Sequence, residues 1–218
     1  MKRIVAIVGD YYHDPDHIRQ SLEQAMQLPG GSRMAEVSYV EVSSLPRILK
    51  ERPDLIILFK ENRVNPAENA VNSWMDTDVE EAIVRYVHDG GAFFAWHSGL
   101  ASYEEDGAYC NMLRGHFVHH PAEHQIVRYR YQECAMTGIR PVDGASFEFA
   151  DEHYFVVCDR SQTNVFLTSE SEDGHSTAGW AHEFGAGRVA CLTPAHTVEG
   201  LLHPEFGALI GSVISWLV

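Results

Sequence analysis

The hydrophobic positions fall into two regimes along the chain. Up to residue 96, short unbroken apolar runs alternate with segments whose apolar positions recur every three or four residues. Residues 3–9 (Arg-Ile-Val-Ala-Ile-Val-Gly), 54–59 (Asp-Leu-Ile-Ile-Leu-Phe) and 92–96 (Ala-Phe-Phe-Ala-Trp) have the continuous apolar character of strands covered on both faces. Residues 35–42 form a more polar strand candidate. Between them, residues 16–27 place Ile18, Leu22, Ala25 and Met26 on one helical side, and Pro29-Gly30-Gly31 breaks the pattern. Leu45 to Lys50 reads as a short helix. Residues 61–75, with Asn62, Asn65, Asn69 and Asn72, read as irregular. Thr77 and Glu80 match a capping box, in which each side chain satisfies a free backbone amide. That helix buries Ile83, Val84 and Val87 and stops at Gly90-Gly91. The order β-α-β-α-β-α-β predicts a parallel, doubly wound sheet with right-handed crossovers.

The second regime is strand-rich. Residues 125–132, 153–158, 164–169, 177–183 and 187–192 read as strands with little helix between them, and Glu183 to Arg188 as a hairpin turn. Some of these strands are expected to pair antiparallel. After His203-Pro204, the apolar positions Phe206, Leu209, Ile210, Val213, Ile214 and Leu217 define a closing helix. No repeat or linker interrupts the chain. The expectation is one domain over residues 1–218: an α/β, three-layer, doubly wound, mostly parallel sheet with additional antiparallel strands in the second half.

Composition narrows the partners. The 218 residues are 45% hydrophobic, enough for a sizeable core, and the formal charge is −15. Such a charge opposes binding to nucleic acid or to anionic membranes, both of which need clustered Lys and Arg. A metal ion or a neutral polar small molecule remains compatible. The apolar start resembles a short signal segment, but Asp10 ends it early and no small-residue cleavage site follows. No apolar stretch is long enough to span a bilayer. Cys110, Cys134, Cys158 and Cys191 are far apart and form no CxxC, which fits reduced core or near-core thiols in a cytoplasmic protein. Histidine is abundant, at 13 residues, so its positions carry the functional question.

In open parallel sheets, ligands bind beyond the carboxyl ends of the strands. The segments there are Asp10-Tyr11-Tyr12-His13-Asp14, Lys60-Glu61-Asn62-Arg63, His97-Ser98-Gly99 and Thr193-Pro194-Ala195-His196. Each carries ionisable groups and three carry a histidine. Ala95-Trp96-His97-Ser98-Gly99 has the pattern of a nucleophile elbow, a sharp strand-to-helix turn that points its central side chain into the cleft. The centre is His97, a general base or metal ligand rather than an amide-cleaving nucleophile. Ser98, one place away, is expected to cap the helix or orient a ligand. In Gly115-His116-Phe117-Val118-His119-His120-Pro121 the adjacent histidines must point apart, and His120 is the expected cleft-facing one.

Asp151-Glu152-His153-Tyr154 sets a carboxylate beside imidazoles, which suits metal ligation or acid–base work. His97, Glu152 and His196 are therefore the catalytic candidates. His13, His97, His120, Glu152 and His196 are the candidate ligands of a divalent metal, zinc or manganese. Tyr12, Glu61, Asn62, Ser98, Tyr154 and Trp180 are the candidate substrate contacts, with Tyr154 and Trp180 able to stack on a sugar ring. Trp96 reads as core. His203-Pro-Glu205 resembles a triad fragment but fits a helix start, and His182-Glu183 reads as exposed.

These pieces together resemble the ThuA-like (trehalose utilisation) family, a branch of the class I glutamine amidotransferase-like, flavodoxin-like fold. The matching segments are Gly90-Gly91-Ala92 through Trp96-His97-Ser98, Gly115 through His120-Pro121, Asp151-Glu152-His153-Tyr154-Phe155, Gly179-Trp180-Ala181-His182-Glu183, Gly185 through Val189, Thr193 through Thr197, and His203 through Phe206. They run in family order over nearly the whole chain, and Gly9 through Asp14 looks like the family's opening. Ala195 departs from the glycine that many relatives carry before this histidine. Amidotransferases hold a cysteine at the elbow centre, so His97 argues against glutaminase chemistry. The resemblance implies sugar catabolism, including keto-sugars, and a homo-oligomer by analogy of fold. The leading expectation is a carbohydrate enzyme performing isomerisation, elimination or hydrolysis. Metal assistance or metal-free proton transfer by His97 and Glu152 would drive it, and no nucleotide cofactor is expected. The alternatives are a non-catalytic sugar-binding regulatory module and a hydrolase using Ser98.

Overall fold

The computed structural model describes residues 1–28, 35–68, 72–133, 139 and 146–218. The expected break at Pro29-Gly30-Gly31, Asn69 and Cys134 lie outside the described residues. The first half follows the sequence pattern closely. Strands β1 (Lys2–Val8), β2 (Ala35–Tyr39), β3 (Leu55–Phe59) and β4 (Ala92–Trp96) alternate with helices α1 (Pro15–Gln27), α2 (Leu45–Glu51) and α3 (Thr77–His88). All five residues of β3 and of β4 are buried, as their unbroken apolar runs require. A four-residue 3-10 helix, His97–Leu100, follows β4.

The α3 start differs from expectation by one residue. Asp76, not Thr77, is the cap, its side chain accepting from the Val79 amide at 2.9 Å. An Asp caps at least as well as a Thr, and the one nearer the loop takes the position. Glu80 is thereby released, and its carboxylate accepts from the Tyr109 amide at 2.7 Å, tying α3 to the start of α4 (Ala108–Leu113).

The second half comprises β5 (Gly115–His119), β6 (Gln125–Tyr131), β7 (Ser146–Asp151), β8 (Phe155–Cys158), β9 (Asn164–Ser171), β10 (Gly174–Phe184), β11 (Gly187–Leu192), a single turn α5 (Val198–Leu201) and α6 (Pro204–Leu217). Strands β5 and β7 were not anticipated. β7 carries a legible alternation, with Phe147 and Phe149 buried and Ser146 and Glu148 exposed. β5 pairs with β8 as a separate two-stranded sheet.

The main sheet has nine strands in the order β2-β1-β3-β4-β11-β10-β9-β6-β7. Among the described residues, pairings from β2 through β11 are parallel and those from β11 through β7 are antiparallel. The expectation of a mostly parallel sheet is therefore corrected: the sheet is mixed. The physical reason is that tight hairpins join β9, β10 and β11, reversing the chain without a helical crossover, and β6 and β7 add to β9 in the same antiparallel manner.

Alternation within the strands divides the core into two layers. Phe94 and Trp96 pack with Ile18 and Leu22 of α1 and with Phe206, Leu209 and Ile210 of α6. Phe93 and Ala95 face the other way, toward Ile83 and Val87 of α3 and Tyr109 of α4. At the far edge of the antiparallel half, on β6 and β7, only one face joins this core. On β6, Val127 and Tyr129 are buried while Arg128 and Arg130 are exposed and pair with Glu148 and Glu170 at 2.7 and 3.1 Å. Among the described residues, no helix is long and apolar enough to cross a membrane.

The segment after β4 depends on one close approach. A Cβ added to Gly99 would lie 2.2 Å from the Leu58 carbonyl oxygen. The 3-10 turn can sit against β3 only because that atom is missing. Gly99→Ala should destabilise the fold by about 1–3 kcal/mol, since the neighbour it meets is backbone. Urea titration followed by circular dichroism checks this; an unchanged midpoint would show that the turn is slack.

Candidate functional site

The strand ends of the parallel half meet as the sequence implies, and a buried carboxylate joins three of them. Asp10, just after β1, has a side chain only 1% exposed. Its Oδ1 accepts from the His13 Nδ1–H at 2.6 Å and from the Tyr12 amide at 3.0 Å. Its Oδ2 accepts from the Ser98 hydroxyl at 2.7 Å and from the Glu61 amide at 3.1 Å. Burial alone would raise this carboxyl's pKa. The hydrogen bond and charge of His13, with the Ser98 and Tyr12 donors, instead hold it far below the usual carboxylate range.

His97 occupies the elbow centre with φ +48°, the left-handed conformation expected there. The imidazole is fully buried. Its Nδ1–H donates to the Thr193 carbonyl at 2.6 Å, which leaves Nε2 as a bare lone pair. That Nε2 is buried and has no hydrogen-bond partner. Tyr154 stacks on the ring at 4.2 Å between centroids. Burial, then repulsion from His13, lowers the His97 pKa well below the ordinary histidine value; the Glu152 carboxylate opposes this.

His196 and Glu152 arrive from opposite ends of the antiparallel half. β7 lies four strands beyond β11, which in a flat sheet would separate them by about 19 Å. Instead the His196 amide donates to Asp151 Oδ1 at 2.7 Å, and the Thr197 hydroxyl donates to the Ala150 carbonyl at 2.8 Å. The sheet therefore curls until its far edge returns to the end of β11. Asp151 and Glu152 are adjacent in an extended segment and point to opposite sides. Asp151 is fully buried, accepts from the Tyr129 hydroxyl at 2.7 Å, and is pushed up to about 6, chiefly by burial. For Glu152, burial also raises the pKa. The hydrogen bond from His196 and the neighbouring His97, His196 and His120 outweigh it and bring the value to about 2.

Four donor atoms converge in consequence. His13, His97, Glu152 and His196 each offer one ligand atom, and these atoms all lie within 4.8 Å of one another. His13 Nε2 is 2.9 Å from His196 Nδ1, His196 Nδ1 is 3.1 Å from Glu152 Oε2, and His97 Nε2 is 3.7 Å from the same oxygen. A set of three imidazoles and one carboxylate has the chemistry to hold a divalent cation. The second nitrogens of His13 and His97 are bonded to Asp10 and to the Thr193 carbonyl, the outer contacts that orient metal-binding histidines.

The cluster opens into a cleft of about 300 Å³, whose lining includes Tyr12, Glu61, Arg63, Ser98, His120 and Tyr154. His120 faces this cleft, with Nε2 3.9 Å from Glu152 Oε1, but stands outside the four-atom group. His119 points away and stacks on Phe155. Ser98 neither caps the turn nor meets an imidazole; its hydroxyl is spent on Asp10. A depression of about 460 Å³ bordered by Phe155, Val156, Arg160 and His175 is larger but lies away from the converging donors.

Two expected substrate contacts are placed elsewhere. Trp180 is fully buried in the core beneath β5, its Nε1–H donating to the Leu113 carbonyl at 2.8 Å. Asn62 is 4% exposed and braces the 72–75 segment, accepting from the Met75 amide at 3.0 Å. His182, expected to be exposed, is buried and hydrogen-bonded to the Met112 carbonyl at 2.9 Å. His203-Pro204 does begin α6, as read from the sequence. Trp96 is core, and Cys110 and Cys191 are buried while Cys158 is partly so. Sequence reasoning missed Asp10 and Asp151 as organising carboxylates. It also missed His124, whose Nε2 lies 3.8 Å from Glu152 Oε1 and whose ring is 5.0 Å from that of His196. Asp10 was findable, as the first polar residue after β1; nothing local distinguishes Asp151 or His124.

Comparison with known proteins places this site in context. A family model described as ThuA, trehalose utilisation, matches residues 12–217. Among solved structures, a putative ThuA-like protein from Parabacteroides merdae aligns with TM-score 0.75 at 12% identity, covering 99% of this chain and 89% of that one. A putative ThuA-like protein from Bacteroides uniformis aligns with TM-score 0.68 at 17% identity, covering 100% and 91%. A cytoplasmic protein from Salmonella typhimurium aligns with TM-score 0.67 at 12% identity, covering 100% and 99%. At such identities the likeness is one of fold. Comparison with curated proteins found no match. The match of the family model over nearly the whole length shows that this chain belongs to the ThuA family, whose description points to a role in trehalose utilisation.

Proposed function

We propose that the cleft is a metal-assisted active site for a sugar or keto-sugar, held by His13, His97, Glu152 and His196. The observation that carries this reading is the bare, buried Nε2 of His97, aimed at three further donors. A buried acceptor without a partner is costly, and a cation shared with its neighbours removes that cost. The spacings fit: ligands about 2.1 Å from one zinc lie roughly 3.4 Å apart in a tetrahedron. The separations of 2.9, 3.1 and 3.7 Å bracket that value, and all four atoms lie within 4.8 Å of one another. Zinc or manganese bound there would polarise a carbonyl or hydroxyl oxygen.

The remaining chemistry belongs to the chain. Asp10 and the Thr193 carbonyl fix the His13 and His97 tautomers, so both rings present lone pairs. His120 and His124 stand at the rim within 4 Å of Glu152, placed to move a proton on or off a ligand carbon or oxygen. Tyr154 and Phe117 form an aromatic floor, with ring centroids 4.4 Å apart, and Tyr12 supplies an exposed aromatic ring at the mouth. Together these suit proton transfer beside a carbonyl, in an isomerisation or elimination. With His97 where an amidotransferase would need a thiol, glutamine hydrolysis has no nucleophile at the elbow. The family's description, trehalose utilisation, supports a carbohydrate substrate.

Isothermal titration with Zn²⁺ and Mn²⁺ should find one ion per chain. Asp10→Asn, which loosens the orientation of His13 without removing a ligand, should weaken that affinity by about 10–100-fold. A protein that binds no stoichiometric metal would refute the metal reading.

Turnover of a keto-sugar should be lost on chelation and restored by the metal. Glu152→Gln should slow it by about 10²–10⁴-fold. Activity that survives chelation but not Glu152→Gln would instead assign the step to metal-free acid–base chemistry.

A further inference from the structure

Glu61 follows β3 by two positions and is held with unusual completeness. Its amide donates to Asp10 at 3.1 Å, and its carbonyl accepts from the Trp74 indole at 2.9 Å. Its Oε2 accepts from the Arg63 Nε–H at 2.6 Å and from the Ser102 hydroxyl at 3.0 Å. The residue is only 2% exposed, yet it lines the cleft that contains Glu152 and His196. Its second oxygen, Oε1, is buried without any hydrogen-bond partner. Among the described residues, Glu61 Oε1 is the one such atom on a residue that lines this cleft, and the metal reading, which uses His97 Nε2, leaves it unexplained.

A carboxylate oxygen can only accept. What it lacks is a donor, and with backbone and Oε2 both fixed, the side chain cannot swing far to find one. A ligand hydroxyl supplies a donor. A ligand carboxylate or phosphate group supplies none, and at Oε1 it would set two anionic acceptors face to face whether or not a cation sits among the histidines. Arg63, which also lines the cleft and offsets part of that charge, has its Nε–H committed to Glu61 Oε2 rather than to the Oε1 position. We propose that Glu61 Oε1 accepts a hydrogen bond from a ligand hydroxyl, and that this makes the cleft selective for neutral sugars over acidic or phosphorylated ones. The proposal rests on the reading of the cleft as a sugar site, and it adds the charge class of the sugar.

The test is ligand-observed NMR titration of the full chain with D-glucose, D-fructose and D-glucuronate, with and without Zn²⁺. The neutral sugars should bind at least about tenfold more tightly than glucuronate, the scale of one charge-assisted hydrogen bond. In Glu61→Gln, Arg63 and Ser102 keep the amide oxygen at the Oε2 position, so an NH₂ donor replaces Oε1. Neutral-sugar affinity should then fall about tenfold and the gap to glucuronate should narrow or invert. Ser102→Ala, which removes one of the two bonds on Oε2, should weaken neutral-sugar binding in the same direction by about threefold. It keeps the proposal testable should Glu61→Gln fail to fold by circular dichroism. The proposal is overturned if neither neutral sugar binds the parent, if glucuronate binds as well as they do, or if both variants match the parent. Selective neutral-sugar binding that is equal with and without Zn²⁺ would count against the metal reading alone and leave this one standing.

Discussion

The cleft exists because the far edge of the sheet is tied back to its centre. The tie is the hydrogen bond from the His196 amide to the buried Asp151 carboxyl, reinforced by Thr197 on the Ala150 carbonyl. Without that closure, β7 would stand four strands away and Glu152 would face solvent rather than three imidazoles. The anchor is a fully buried carboxyl whose pKa burial pushes up to about 6, accepting from Tyr129 and from backbone. The chain thus places two adjacent acids in opposite roles. Asp151 holds the architecture from below, and Glu152 is kept ionised in the cleft by the histidines it meets.

On the parallel side, Asp10 does the equivalent work. One carboxylate, with four donors, fixes the segments after β1, β3 and β4 relative to one another. One buried carboxylate thus ties together three loops that are distant in sequence. It also sets the His13 tautomer, so the positioning of the backbone and the chemistry of the ring rest on the same atoms. The donor cluster is therefore assembled from two halves: Asp10 organises His13 and the elbow turn, and Asp151 organises His196 and Glu152.

The elbow shows how a sharp turn after a buried strand delivers one chosen side chain to the site. The strained turn, the left-handed φ at its centre and the glycine that lets it lie on β3 are all present. The side chain at the apex is an imidazole whose free nitrogen points at other donors. The turn's property, delivering one side chain to the ends of the strands, suits a ligand-binding nitrogen as well as it suits a thiol.

The sequence by itself determined the parallel half, because unbroken five-residue apolar runs can only be buried on both faces and helical periodicity supplies the covering layers. It also determined which loops face the site, and hence Tyr12, His13, Glu61, His97 and His196, since in such sheets the carboxyl ends converge. It marked most strands of the antiparallel half but not β5 or β7, and whether a residue there faces core or cleft depends on partners remote in sequence. Trp180 illustrates this, being a stacking candidate by composition and a core residue by register. Asn62 does too, one position from Glu61 and turned to a different task. Only the tertiary structure decided that Glu152 joins His13, His97 and His196 while His120 remains at the rim. That grouping follows from how far a twisted sheet curls before a single buried carboxyl closes it, a long-range property that no local pattern of residues encodes.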